Sequence, residues 1–264
     1  MFQQFNISRS GFGVYQKMMF NITNNIANAQ TPGFKQTRTE LATLFPVILQ
    51  EAQLAHSEDE EMNPYVKKKR GIELGTGVRM EAITTDFSEG NLQVTNNEMD
   101  VAIRGDGFFQ FRKQDGNMVY TRAGNFAKDV EGSIISQSGY MLDPPIRVPQ
   151  NTTQLTIDPE GRVYATINND ATPREVGQML VARFVNPDGL KNVGNNFYKE
   201  TVDSGEPIVD VPGRNATGQV VQFAIENSNV DIIKEMMNMI MTQKGLELLA
   251  KAMQAGEAML KAGM

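Results

Sequence analysis

The sequence predicts an α+β protein in which N- and C-terminal α-helices pair as a coiled-coil stem, with an antiparallel β-rich domain between them. Two observations carry this expectation. Apolar residues recur every seven positions at both ends of the chain, and between the ends they alternate every second residue, broken by glycine-containing turns. The expected organisation is an N-terminal helix over 1–32, an irregular connector over 33–76, a β-rich domain over 77–206, a return segment over 207–227 and a C-terminal helix over 228–264.

In the first helix Phe5, Phe12, Met19 and Ile26 lie seven apart, and Ser8, Tyr15 and Ile22 follow the first three of these by three residues. This alternation draws one apolar seam along a helix, as in coiled-coil and bundle packing. Gly11 and Gly13 oppose the helix by roughly 1 kcal/mol each, so its support must come from elsewhere. The helix then runs into NNIANAQTPGFK. Asn24, Asn25 and Asn28 place amides on its surface, and Ala27 and Ala29 leave room for close approach. Pro32 disfavours helical geometry at Thr31, Gly33 permits backbone angles closed to other residues, and Phe34 suits an apolar pocket.

Residues 44–77 are less regular. Ser57-Glu58-Asp59-Glu60-Glu61 is answered by Lys67-Lys68-Lys69-Arg70, opposite charges that read as a solvated loop. Strand patterning begins near Gly77. DVAIRGDGFFQF alternates at Val101 and Ile103, turns at Gly105-Asp106-Gly107 and resumes at Phe109 and Phe111, the pattern of a hairpin. QLTIDPEGRVYATI places Leu155 and Ile157 before the turn Asp158-Pro159-Glu160-Gly161, with Val163 and Ile167 after it. Similar turn signals sit at Gln114-Asp115-Gly116, Asp129-Val130-Glu131-Gly132 and Asn186-Pro187-Asp188-Gly189.

At the far end Ile232, Met239, Leu246, Met253 and Leu260 recur every seven, backed by Met236, Ile240 and Leu249. Asn227-Ser228-Asn229 supplies a cap, and Asp231 puts a negative charge at the helix start. The apolar positions spread too widely for one solvated face, so this helix is expected to be covered on several sides. Its many methionines suit surfaces that pack against several neighbours.

Composition removes most enzyme classes. A net charge of −6 argues against a phosphate-binding groove. With no cysteine and His56 as the one histidine, disulfides, thiolate zinc sites, cysteine nucleophiles and histidine-based triads or zinc sites are excluded. Glu58, Asp59, Glu60 and Glu61 form a charged run instead of a converging cleft, and Gly71, Gly75 and Gly77 lack the Lys-Ser/Thr of a phosphate loop. Arg104-Gly105-Asp106 and Asn151-Thr152-Thr153 spell short adhesion and glycosylation motifs that chance also supplies. No catalytic residue, metal site or cofactor is expected. No apolar run approaches the ~20 residues of a membrane span, and MFQQFNISRS lacks the pattern of a cleavable signal.

Three blocks resemble one family. TNNIANAQTPGFKQ (23–36) is similar to the N-terminal signature of the bacterial flagellar axial proteins, the rod and hook subunits. GNLQVTNNEMDVAIRGDGFFQF (90–111), continuing through YTRAGNFAKDVEGSIISQSGYML (120–142), resembles the entry to that family's β domain. ENSNVDIIKEMMNMIMTQKGLELLAKAMQAGEAML (226–260) resembles its C-terminal helix. Within the family the distal rod type fits best, on GIELGTGVRM and GQMLVARFVNPDGLKNVGNNFY, and the proximal rod type is the rival. Where the family commonly has a basic, a small and an aromatic residue after Gln243, this chain has Lys244-Gly245-Leu246, which leaves the details of C-terminal packing open.

The resemblance implies a self-assembling tubular polymer in the basal body that transmits torque from motor to hook. Its terminal helices would line the inside as nested coiled coils, with the β domain outside. The implied partners are other copies of the chain, other rod subunits, the hook protein, the basal-body ring proteins and the type III export apparatus, with no nucleic acid and no membrane insertion. Under this reading Asn24, Asn25, Ala27, Asn28, Thr31, Pro32, Gly33 and Phe34 form an assembly motif, a corner whose amides bond to neighbouring subunits. The connector would brace neighbours and stiffen the shaft. The competing reading is an extracytoplasmic adhesion module on a two-stranded helical stalk. Limited proteolysis at micromolar concentration separates them: an assembly subunit has protease-sensitive ends, because its helices lack their neighbours, whereas a stalk protects them.

Overall fold

The computed structural model describes residues 2–50, 72–167 and 172–262. Its elements are α1 (Phe2–Ala27), β1 (Thr37–Thr43), β2 (Val47–Gln50), β3 (Ile72–Leu74), β4 (Val78–Thr85), β5 (Leu92–Val94), β6 (Val101–Arg104), β7 (Phe108–Arg112), β8 (Met118–Thr121), β9 (Phe126–Lys128) and β10 (Ile134–Ser136). There follow β11 (Met141–Leu142), β12 (Thr152–Ile157), β13 (Arg162–Ile167), β14 (Arg174–Gln178), β15 (Val181–Arg183), β16 (Lys191–Gly194), β17 (Phe197–Lys199), β18 (Ile208–Asp210), β19 (Gln219–Gln222), β20 (Ala224–Glu226) and α2 (Ile232–Ala262). They form two compact units, one of residues 1–23, 38–84 and 234–264, the other of residues 24–37 and 85–233.

In the first unit β1 pairs with β4, and β2 pairs antiparallel with β3 in the register Val47↔Leu74. Strands therefore occupy part of the stretch read as an irregular connector. Its charge runs and His56 lie outside the described residues. Helix α1 is tied to this unit by Asn21, whose Nδ2 donates to Thr39 Oγ1 at 3.1 Å. The two helices meet where each carries a glycine. A methyl group on Gly11 would lie 3.2 Å from Leu249 Cδ1, and one on Gly245 would lie 2.8 Å from the Tyr15 ring. Gly11 is thus a contact point, and the approach offsets its poor helix propensity.

Among the described residues Val14 and Ile22 are the buried apolar side chains of α1, with Phe12, Tyr15, Met19 and Ile26 half-buried. In α2, Met239, Leu246, Leu249 and Met253 are half-buried. Ile232, Met236 and Ile240 are exposed, Ile240 at 56%. Within one chain, then, α2 is not covered on several sides as expected. Phe5 and Leu260 lie outside the described side chains.

The second unit is built on a nine-stranded sheet in the order β16-β17-β8-β7-β11-β10-β9, with β15 sharing the β11 side of β7 and β18 beyond β15. A three-stranded sheet, β12-β13-β14, and the pairs β19-β6 and β20-β5 complete it. The β12–β13 hairpin follows its sequence pattern, with Ile157 opposite Val163 and Gly161 N donating to Asp158 O at 2.8 Å. DVAIRGDGFFQF does not form the hairpin its alternation suggested. β6 pairs with β19 in the register Ile103↔Val220, and β7 enters the large sheet instead. Alternation reports burial but not the partner, and the partner of β6 comes from beyond residue 206, where β18, β19 and β20 extend the strand content.

All of Phe108 to Phe111 is buried because both faces of β7 are covered. Phe109 and Phe111 join Val101, Ile103, Val163 and Val181 in the main core. Phe108 faces the other way, packing with Tyr120, Ala182, Phe184 and Tyr198. The rings meet edge to face, Tyr120 and Phe184 at 4.9 Å and Phe87 and Tyr198 at 5.0 Å between centroids, the geometry favoured by ring quadrupoles.

Burial pushes the Tyr198 phenol up to about 12. Burial, reinforced by the Glu200 carboxylate, pushes Tyr120 up as well. An unfolded tyrosine ionises near ~10, so above that pH the unfolded chain loses a proton that the folded state retains. The stability that Tyr198 contributes is complete below about pH 10 and is lost as the pH rises to about 12, at about 1.4 kcal/mol per pH unit. Tyr198→Phe should flatten this fall by that amount in urea titrations between pH 9 and 11.5. An unchanged slope would show that the phenol is not held neutral by burial.

Candidate functional site

NNIANAQTPGFK leaves α1 and ends in a buried charge clip inside the second unit. Gly33 has φ +68°, and a Cβ there would lie 2.5 Å from the backbone nitrogen of Ala123, so both conformation and space require glycine. Gly33 N donates to Glu226 O at 2.8 Å, and Asn196 Nδ2 donates to Pro32 O at 3.1 Å. Phe34 is buried.

Lys35 follows it inward with a side chain wholly removed from solvent. Its Nζ donates to Glu226 Oε1 and to Ser88 O, both at 2.6 Å. Gly90 N donates to the same Glu226 oxygen at 2.9 Å. On the other side Arg122 Nε lies 3.0 Å from Glu226 Oε2, an ion pair without hydrogen-bond alignment. Arg122 Nη1 donates to Gly105 O and Gly107 O at 2.7 Å each, fixing the crossing from β6 to β7. Burial pulls the Lys35 ammonium below the ordinary lysine range, and Glu226 opposes that pull. One carboxylate thus serves two buried cations drawn from distant parts of the chain.

Asn229 ties the same segments by their backbones. Its Oδ1 accepts from Gln36 N at 2.7 Å, and its Nδ2 donates to Asp86 O and Ser88 Oγ at 2.9 Å each. It is therefore not the cap of α2. That role falls to Asp231, whose Oδ1 accepts from Ile233 N at 3.0 Å.

The three amides of the expected assembly motif have different fates. Asn25 is 1% exposed. Its Nδ2 donates to Thr37 O at 2.9 Å, and its Oδ1 accepts from Thr37 N and Thr37 Oγ1 at 3.1 Å each. Within the chain this amide is turned inward and mimics a strand partner of Thr37. Asn28 Nδ2 donates to Asn24 O at 2.9 Å, and its Oδ1 accepts from Thr31 Oγ1 at 3.3 Å, closing the helix end on itself. Asn24 and Ala27 are exposed and Ala29 is half-buried.

Lys35, Arg122, Glu226 and Asn229 escape a reading of local pattern. The signal present was a lysine directly after a buried aromatic, which a solvated charge does not need. Among the described residues no group of three or more His, Asp or Glu is placed to hold a metal ion.

Glu226→Gln leaves two buried cations against a neutral amide, which costs about 3–5 kcal/mol. The urea midpoint of the second unit should fall accordingly at unchanged m-value. Adding Lys35→Met should recover part of the loss, since one cation then disappears. A wild-type midpoint for the Gln variant would remove the clip from the stability of the unit.

Residues 102–165 match the family described as flagellar hook protein FlgE/F/G D1 domain, a span that contains Arg122. Residues 221–264 match the family described as flagellar basal body rod FlgEFG protein C-terminal, which contains Glu226, Asn229 and α2. The chain is 39% identical to the flagellar basal-body rod protein FlgG of Buchnera aphidicola subsp. Schizaphis graminum, covering 97% of this chain and 96% of that one. It is 35% identical to the protein of that name from Agrobacterium fabrum, over 96% and 95% of the two chains. Against that from Bacillus subtilis it is 30% identical over 96% and 94%. With its N-terminal clip, its β core and its C-terminal helix all inside these matches, the chain belongs to the FlgG family of flagellar basal-body rod proteins.

Proposed function

We propose that the chain is a structural subunit of the distal part of the flagellar basal-body rod, assembling with copies of itself into a helical tube that transmits torque from motor to hook. The observation that carries this reading is the apolar surface of α2. Ile233, Met236, Met237, Ile240, Met241, Leu248 and Met259 are all exposed in the single chain. Contiguous exposed apolar surface marks an interaction site. A solvated stalk would not need so many bulky apolar side chains, whereas a helix packed among neighbours in a tube does.

In this reading α1 and α2 form the inner wall, pairing as a coiled-coil stem around the contacts of Gly11 and Gly245. Of the asparagine motif, Asn24 is the amide available to a neighbouring subunit, while Asn25 and Asn28 shape the corner from within. The partners are further copies, other rod subunits, the hook protein and the basal-body rings, with delivery through the type III export apparatus. Residues 44–77 brace neighbours. The reading is supported by family membership over nearly the whole chain, and no described helix is long and apolar enough to cross a membrane.

Ile240→Asp places a charge on the exposed face of α2 and should change the stability of the single chain by no more than about 0.5 kcal/mol. Cells carrying it should nonetheless lose rods and swimming. Immunogold electron microscopy of isolated hook–basal bodies should put the wild-type chain on the thick rod segment just below the hook. Label nearer the inner-membrane ring would make it a proximal rod subunit. No label on the basal body would remove it from the rod altogether.

A further inference from the structure

We infer that copies of this chain join laterally through the edges of their nine-stranded sheets, β18 of one copy lying along β16 of the next. The inference rests on the rod-subunit reading, because it requires copies in a repeating array. Among the described residues β18 pairs only with β15 and β16 only with β17, so each has an edge that no described strand covers. The third end of the sheet, β9, is protected: Phe126 is buried and Lys128 Nζ donates to Pro149 O at 3.3 Å.

Natural edges are usually blunted by charge or proline within the strand. β18 is short and ends on Asp210, yet it exposes Ile208 and Val209, and the loops beside it expose Val185 and Val202, the last at 99%. Val185 lies two residues after Arg183, which is paired with Ile208. The turn that begins at Val202 is held to the 187–189 turn by Thr201 Oγ1, which donates to Gly189 O at 2.6 Å. The valines and the strand therefore share one rim. Glu206 stands at its start, exposed and, among the described residues, in no ion pair or hydrogen bond.

β16 has the complementary character. Its four residues, Lys191 to Gly194, are all exposed. Lys191 lies directly across from Lys199 of β17, and among the described residues neither lysine is in an ion pair. Like charges placed opposite each other across a ladder are destabilising, so a carboxylate arriving from outside relieves the pair. Glu206 of a second copy supplies that carboxylate, while Ile208, on the same face two residues on, meets Val193. Because the two edges differ, the contact is head-to-tail and extends into an array instead of closing as a dimer. Pro207 and Pro212 confine β18 to three residues. Each contact is accordingly weak alone and is multiplied only when many copies are held together.

The chain has no cysteine, so Val193→Cys and Ile208→Cys can be combined in the full-length protein without background. Paired sulfurs need Cα atoms about 5.5 Å apart, which strand neighbours provide. Mild oxidation of assembled filaments should give a ladder of multimers from the double variant and nothing from either single variant. Dimers from I208C alone, or filaments without a ladder, overturn the edge pairing and leave the rod reading standing. A chain that never polymerises overturns both. E206K and K191E should each raise the concentration needed for assembly about tenfold, and the two together in one chain should restore it. Failure to restore would also overturn the pairing.

Discussion

Two cations and one carboxylate share a space from which water is excluded, and the rest of the second unit is arranged around that constraint. Lys35, Arg122 and Glu226 come from three distant parts of the chain, and each is nearly or wholly buried. Any one of them in isolation would carry a desolvation penalty of several kcal/mol. Together with Ser88 O, Gly90 N, Gly105 O and Gly107 O they satisfy one another. This works in only one alignment of the segments. Gly33 must pass close to Ala123, α1 must stop before it, and the backbone after Glu226 must continue past Ser88 for Asn229 to be satisfied.

A buried ion pair is weak evidence of net stabilisation, since apolar residues of similar volume often do as well. What the clip contributes is register. The main core, from Val101 to Val220, tolerates small adjustments of apolar surface against apolar surface. The clip does not, because a shift of one residue leaves a charge unpaired. The stretch that leaves α1 and the stretch that enters α2 are consequently fixed to the same few atoms. Asn25 extends this to the first strand, holding Thr37 by three hydrogen bonds.

Period and turn chemistry made the element types legible. The 3-4 alternation gave both helices, and the Asp-Pro-Glu-Gly turn gave the β12–β13 hairpin. What stayed hidden was always a partner distant in sequence. Alternation around Gly105 could not say that β6 pairs with β19, and the cost of Gly11 as a helix residue could not say that Leu249 needs its space. Of the site, Gly33 and Phe34 were legible because their constraints are local. Asn25 was read as an outward amide because its inward partner, Thr37, lies beyond the Pro-Gly break. Glu226 carries no local mark and Lys35 only its place after Phe34, since a charge that will be buried looks in sequence like one that will be solvated.

The contrast between polar and apolar groups gives the molecule its direction. In the second unit the charges of the clip are paired within one chain, Glu226 Oε1 by hydrogen bonds and Oε2 by an ion pair with Arg122. On α2 the opposite holds: Glu235 and Thr242 are buried while Ile240, Met241 and Leu248 are exposed. A helix stable alone in water would reverse that assignment, because apolar surface favours burial by about 25 cal/mol per Å². Selection for a monomer would have placed charges there. Apolar residues on this helix therefore store association free energy that is realised only against further chains. The charge clip leaves the second unit complete before that association occurs.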